Sequence, residues 1–314
     1  MMLRRTLFLM SVCGIAAFLA LGARLCQIQI FQHDEYEAAA IAQQVRETTV
    51  SAARGTIYDR NGAILAISAG VDTVYISPAE IERNNEDKEA IARGLAEILD
   101  ADYETILKKA GNTKSWYEVV ARKVEPEVSE KVREFKAEGG YSGIKIEADT
   151  KRYYPNGSLA SHVIGFVGLE NKGLGGVEAR YDSLLSGKNG YVMRSTTAAG
   201  TDMLYSSYED YVDAEDGQSL SLTIDSTIQY YIEKHLAQAV ADYDIQNGAA
   251  AICMEVDTGA ILSMASLGNF DLNDYQTISA EAEAEIRAAA QSDEEYNELY
   301  SLAQQLQWRN KAIS

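Results

Sequence analysis

Ser142-Gly143-Ile144-Lys145 is the one place where a serine precedes a lysine by three positions. On a helix, that spacing would set the amine against the hydroxyl and make a nucleophile. Ile144 to Glu147 reads as a strand, where positions three apart face opposite sides, so this pair is expected to be inert. Metal chemistry has as little to work with. The 3 histidines are too far apart for an HExxH site, and no pair of the 3 cysteines has zinc-ligand spacing. His235 flanks an apolar helical pattern with no nucleophile or acid spaced to meet it, and reads as a partly buried, hydrogen-bonded residue. Gly173-Leu174-Gly175-Gly176-Val177-Glu178 imitates a dinucleotide-binding loop, but Glu178 stands where the third glycine belongs and no apolar strand leads into it. No metal or cofactor is therefore expected.

Composition narrows the class. A hydrophobic fraction of 46% over 314 residues supports a substantial core. Against 47 acidic residues stand 28 basic ones, and the net charge of -19 argues against nucleic acid as a partner. Arg4 and Arg5 precede a charge-free run from Thr6 to Ala23, which at about 18 residues just spans a bilayer core. Residues 1–30 are thus expected to form a cytoplasmic start and a single membrane anchor, with the bulk of the chain outside the cell membrane. A cleaved signal peptide competes, because the end of the run is rich in small residues. The anchor is preferred because the apolar character continues through Leu25, Ile28 and Ile30. Cys253, within Ala250-Ala251-Ile252-Cys253-Met254, reads as a buried inert thiol.

The elements that must position any site follow from periodicity. Thr56 to Tyr58 and Ala63 to Leu65 flank Asp59-Arg60-Asn61-Gly62, and the Asn-Gly pair predicts a hairpin with positive φ tolerated at both positions. Helices are expected over 85–98, 102–110 and 128–137, with strands around 117–121 and 144–147. The acidic stretch from Ser206 to Gly217 reads as an exposed connection. Leu220 to Ile224 reads as a strand, followed by a helix whose start is a capping box of Ser226 and Gln229. Ala249 to Val256 and Ala260 to Leu267 form a second hairpin through Asp257-Thr258-Gly259. Residues 280–307 should be helical and mostly solvated.

Three motifs then carry a resemblance. Arg54-Gly55-Thr56-Ile57-Tyr58-Asp59-Arg60-Asn61-Gly62, Arg152-Tyr153-Tyr154-Pro155 with His162, Gly165 and Gly168, and Gly175-Gly176-Val177-Glu178 with Tyr181, Asp182, Leu185, Gly187 and Gly190 occur in that order. In these the chain resembles the N-terminal portion of a class B penicillin-binding protein, a peptidoglycan DD-transpeptidase. The resemblance implies an α+β chain: a single transmembrane helix, a mixed α+β pedestal or dimerisation domain over 31–200, a linker over 201–216, and over 217–314 the incomplete start of a transpeptidase domain of the serine β-lactamase-like fold. Leu222-Thr223-Ile224-Asp225 with Gln229, and Met254 to Leu262, resemble that domain's first strand, helix and hairpin. Gly268 to Asn273 departs from the family, lacking its prolines, and the acidic helix after it looks like an enlarged insertion. Arg309 to Ser314 resembles the approach to the catalytic helix.

By resemblance the residues named in the three motifs are structural: Arg54, Gly55, Asp59, Arg60, Asn61, Gly62, Arg152, Pro155, His162, Gly165, Gly168, Gly176 and Glu178. Glu178 is the acid best placed to pair with one of Arg54, Arg60 and Arg152, in a contact that positions strands. No catalytic residue is expected, since Ser-x-Asn and Lys-Thr-Gly are missing and Ser142 is unsuitable. The whole protein would crosslink peptidoglycan stem peptides through a serine acyl-enzyme that β-lactams trap, and its nucleophile is expected soon after Ser314. The alternative is a noncatalytic, membrane-anchored scaffold for a polytopic glycosyltransferase or division protein. Either is compatible with a homodimer.

Overall fold

A computed structural model describes residues 45–195, 209–245 and 248–313, with a few positions between 14 and 27. Most of the expected anchor lies outside the described residues, and among those described no helix is long and apolar enough to cross a membrane. The strands in chain order are β1 (Val45–Val50), β2 (Ile57–Tyr58), β3 (Ile64–Ile76), β4 (Glu118–Val124), β5 (Ile144–Tyr153), β6 (Gly190–Ser195), β7 (Glu209–Val212), β8 (Leu220–Ser221), β9 (Ala250–Met254) and β10 (Ile261–Ser266).

The chain divides into two compact units, Met1–Thr49 with Tyr191–Val212, and Val50–Gly190 with Asp213–Ser314. The first holds a sheet in the order β1-β6-β7, in which β6 and β7 are antiparallel and Tyr191 faces Val212. The acidic stretch read as a bare connection thus contributes a strand, and Tyr211 and Val212 supply the β-preference for it.

In the second unit β3 is the organising strand. One edge pairs antiparallel with β5 from Ile67↔Tyr153 to Ile76↔Ile144, while the other takes β2 near its start and β4 near its end. β8 joins β2 in parallel, setting Leu220 beside Ile57. The helices α1 (Pro78–Arg83), α2 (Lys88–Leu99), α3 (Tyr103–Ala110) and α4 (Pro126–Gly139) accompany the far half of β3, and their ends are written in local chemistry. Proline opens α1 and α4, where its missing N–H costs nothing. The carboxylates of Asp87 and Asp102 accept from the free N–H groups that begin α2 and α3. Ile91, Leu95, Ile106 and Val132 from these helices close over Val74, Ile76 and Ile144 as one core.

Three short helices follow, α5 (Ser161–Ile164), α6 (Gly176–Arg180) and α7 (Asp182–Leu185), and then, within the same compact unit, α8 (Ser226–Asp242) and the β9–β10 hairpin. A second core joins the earlier and later parts of this unit: Ile57, Leu65, Tyr154, Ile164, Phe166 and Leu185 pack with Phe270 and Leu272, flanked by Tyr275 and Trp308. A ring stack of Phe166 on Tyr275, 4.3 Å between centroids, lies at its centre.

Four local readings are corrected. At the first turn only Gly62 takes positive φ (+85°). Gly62 N donates to Asp59 O and Asp59 N to Ala63 O, so the loop is a turn closed by a left-handed glycine. The cap of α8 is Asp225, not Ser226, because Asp225 Oδ1 accepts from Thr227 N and Ile228 N while Ser226 Oγ is drawn to Asp59. The helix of 280–307 is two, α9 (Ala280–Ala289) and α10 (Asp293–Trp308), since Ser292 caps the second by accepting from Glu295 N. Cys253 is only half-buried: it shares with Ala251 the less exposed face of β9, opposite the exposed Ile252 and Met254, and even that face is not fully covered.

Candidate functional site

Glu178 is fully buried, and each of its oxygens holds one guanidinium: Arg54 Nε donates to Oε2 at 2.6 Å and Arg152 Nε to Oε1 at 2.7 Å. Arg54 comes from the segment entering β2, Arg152 from the end of β5 and Glu178 from α6, so three distant stretches meet on one carboxylate. The remaining donors tie the cluster to backbone. Arg54 Nη1 donates to Asp182 Oδ1 (2.7 Å) and Asn171 O, Arg54 Nη2 to Glu178 O, and Arg152 Nη1 to Gly55 O (2.9 Å). Asp182 also accepts from Gly173 N at 2.8 Å, which pins the glycine-rich loop. Two cations and two anions balance, and such a cluster specifies geometry more than it adds net stability. Burial and the Glu178 charge push the Tyr154 phenol far up, so it stays a neutral hydroxyl 3.5 Å from Glu178.

The first motif makes a second junction. Asp59 is fully buried; Oδ1 accepts from Asn61 N and Ala63 N, and Oδ2 from Ser226 N and Ser226 Oγ. Burial works to raise its pKa, but the bonds from Ser226, Ala63 and Asn61 outweigh it and hold the carboxyl below its ordinary value. Asn61 Nδ2 donates to Asp225 Oδ2, so the hairpin turn reaches the start of α8 through two residues. Arg60 stands apart from Glu178, within 4.0 Å of Glu255 at the surface. Gly55 is required where its backbone meets another: a Cβ there would lie 2.0 Å from Gln218 O. Pro155 is exposed, and a Cβ at Gly168 would meet first the movable Leu174 side chain, at 3.0 Å.

His162 makes the third junction. Its Nε2–H donates to Gln307 O at 2.9 Å, Ser266 Oγ donates to Nδ1 at 3.2 Å, and its ring meets Phe270 edge-on. One imidazole therefore links α5 with β10 and α10. Burial, aided by Lys311 and opposed by the Gln307 bond, lowers its pKa below 6.5. A histidine kept neutral in the fold and free to protonate when unfolded makes stability fall as pH drops below about 6.5, levelling off once pH is under the folded pKa. Urea midpoints measured between about pH 7 and pH 5 should show this slope, and His162→Gln should flatten it; an unchanged slope in the variant would assign it to other groups.

Sequence reasoning missed Glu233. It accepts from Ala160 N at 2.9 Å and Gln229 Nε2 at 2.6 Å, and burial raises its pKa. Gln229, expected in a capping box, instead exchanges bonds with the backbone of Met264 on β10. Ser142 Oγ is held by Glu86 and Lys145 Nζ by Glu80, so the serine and lysine are engaged separately. His235 is exposed and stacked on Tyr231 where a partly buried residue was expected, because α8 buries fully only Gln229.

A mixed α+β platform, locked by a buried Arg–Glu–Arg cluster and continuous with α8 and the β9–β10 hairpin, has penicillin-binding architecture. Residues 49–222 match the family model described as Penicillin-binding Protein dimerisation domain. The chain belongs to the class B penicillin-binding proteins. It is 34% identical over 275 residues to Stage V sporulation protein D of Bacillus subtilis (strain 168), covering 88% of this chain and 41% of that protein. It is 28% identical over 282 residues to the peptidoglycan D,D-transpeptidase FtsI of Escherichia coli (strain K12), covering 87% and 46%. Among solved structures, a peptidoglycan synthetase from Bifidobacterium adolescentis ATCC 15703 aligns with a TM-score of 0.53 at 27% identity, covering 73% of this chain and 46% of the other. A complex of Penicillin-Binding Protein (PBP2) and MreC from Helicobacter pylori shares the fold, with a TM-score of 0.58 at 22% identity over 81% and 47% of the two chains. The chain spans less than half the length of these relatives.

Proposed function

We propose that this chain is the N-terminal portion of a class B penicillin-binding protein that crosslinks peptidoglycan stem peptides. Residues 31–200 act as its pedestal, 201–216 as a linker and 217–314 as the start of the transpeptidase domain. The observation that carries this reading is the continuity between the regions: Asp59 holds the first turn of α8, His162 holds β10 and α10, and Phe166 stacks on Tyr275 between them. A platform so joined can orient a catalytic domain. The transpeptidase step itself, attack by a serine, loss of D-Ala and resolution of the acyl-enzyme by an amine, belongs to residues this chain does not contain. The charge-free run after Arg5 supports a cell-membrane location with the N-terminus cytoplasmic and the remainder outside.

Labelling with a fluorescent penicillin tests the proposal. The full-length protein is expected to take the label covalently and the 314-residue chain to remain unlabelled. A gene product that ends at Ser314, or a longer one that takes no label, would overturn it. A second reading is a noncatalytic membrane-anchored scaffold; the Helicobacter pylori complex with MreC supports such docking for that protein. Under that reading the 314-residue product would be stable in the cell and would copurify with a cell-wall synthesis or division partner.

A further inference from the structure

In a chain of net charge -19, one cleft of about 260 Å³ in the larger unit is lined by four cations and no carboxylate. Arg122, Lys123, Lys151 and Arg152 form its polar side, and Val167, Leu169, Leu272 and Tyr275 its apolar side. The donors are unequally used. Lys123 is held at φ +56°, a left-handed conformation that few side chains adopt, and its ammonium donates to Thr150 O at 2.7 Å and Asn171 Oδ1 at 2.6 Å. An ammonium has three protons, so one is left to donate. Arg122 is exposed, and among the described residues its guanidinium makes no hydrogen bond or ion pair. Nη2 of Arg152 is buried without an acceptor. Two of the four are committed to acids: Lys151 to Glu125 at 2.7 Å, and Arg152, through Nε, to Glu178 at 2.7 Å.

Burial does most to depress the Lys123 pKa; the Asp149 charge opposes it, and repulsion from Lys151 and Arg122 adds to it. An anion in the cleft would relieve both the burial cost and the repulsion. The volume is below the range of about 300–1,000 Å³ typical of drug-sized ligands. A ligand that fits is small, with an anionic group at one end and an apolar body at the other. The planar fork of an arginine beside a single lysine proton suits the two oxygens of a carboxylate.

We propose that this cleft binds the carboxylate of a small apolar acid, such as the C-terminal residue of a peptide. Arg122 and Lys123 hold the carboxylate, and Leu272 and Tyr275 cover the side chain. The assignment does not rest on the transpeptidase reading, although Tyr275, stacked on Phe166, belongs to both.

Calorimetric titration of the full 314-residue chain tests it, with N-acetyl-leucine, N-acetyl-leucinamide and inorganic phosphate as probes. Saturable binding of the acid is expected, with the amide weaker by about tenfold or more, as loss of a charge-assisted bond requires. Arg122→Gln, an exposed change that leaves the fold intact, should weaken the acid by about tenfold. Lys123→Met should do the same, with its melting temperature recorded to separate binding from folding. Equal binding of acid and amide, full affinity in Arg122→Gln, binding of phosphate but not of the acid, or no binding of any probe would each overturn the assignment.

Discussion

Replacing Glu178 by alanine is expected to destabilise the larger unit by about 3–5 kcal/mol, at the upper end of the range for breaking a buried ion pair. Two guanidiniums, whose side chains are 3% and 4% exposed, would be left facing each other across a cavity with no counter-charge between them. A domain's total stability is about 5–15 kcal/mol, so the variant should be partly unfolded at growth temperature. Glu178→Gln should fall between alanine and wild type, because the amide keeps the shape and one acceptor but loses the charge. The exposed pair Lys188–Glu215, 2.7 Å apart, is the control, and Glu215→Ala should leave the urea midpoint unchanged. Wild-type midpoints in Glu178→Ala would mean that the arginines are held by backbone carbonyls alone and that the carboxylate is dispensable.

That cluster also marks what a sequence can and cannot say. Glu178 was conspicuous as an acid inside a glycine run, and Arg54 and Arg152 as cations beside turn residues, so the partners could be named. That both arginines share one carboxylate, while Arg60 turns outward to Glu255, depends on where β5 brings Arg152, and that is a tertiary fact. Asp182 was visible in the third motif but gave no sign that it would take Arg54 and the Gly173 amide together. The hairpins, three of the four helices of the first core and the β9–β10 pair were legible because apolar period and turn residues agree in each, whereas the short α1, with Ile81 as its side chain in that core, was not. Misread positions were those where two local partners compete. Ser226 could have capped α8, but Asp59 lies within 2.7 Å of its hydroxyl and Asp225 takes the cap. Lys123 is the extreme case, since nothing in its neighbours along the chain predicts a left-handed lysine.

Gly165→Ala should cost as much as any core truncation, by a different route. Gly165 lies at φ +74°, and a Cβ there would stand 1.9 Å from Gly175 O and 2.6 Å from Gly176 N. Gly176, at φ +53°, faces it in turn, its own Cβ falling 2.4 Å from Val163 O. The end of α5 and the start of α6 therefore touch backbone to backbone, and neither atom can rotate away as a side chain could. At φ +74° and ψ -170° the backbone lies in a region that is essentially glycine's alone, which costs alanine about 1–3 kcal/mol. Separating the segments adds more, because α6 carries Glu178 and any shift draws its carboxylate from Arg152. A total above about 4 kcal/mol is expected. Gly62→Ala isolates the cost of a positive φ, since Gly62 has φ +85° but open space around it. It should lower stability by only about 1–2 kcal/mol. Urea unfolding of the two variants side by side measures the difference, and equal midpoints would show that the contact between the two glycines yields without strain.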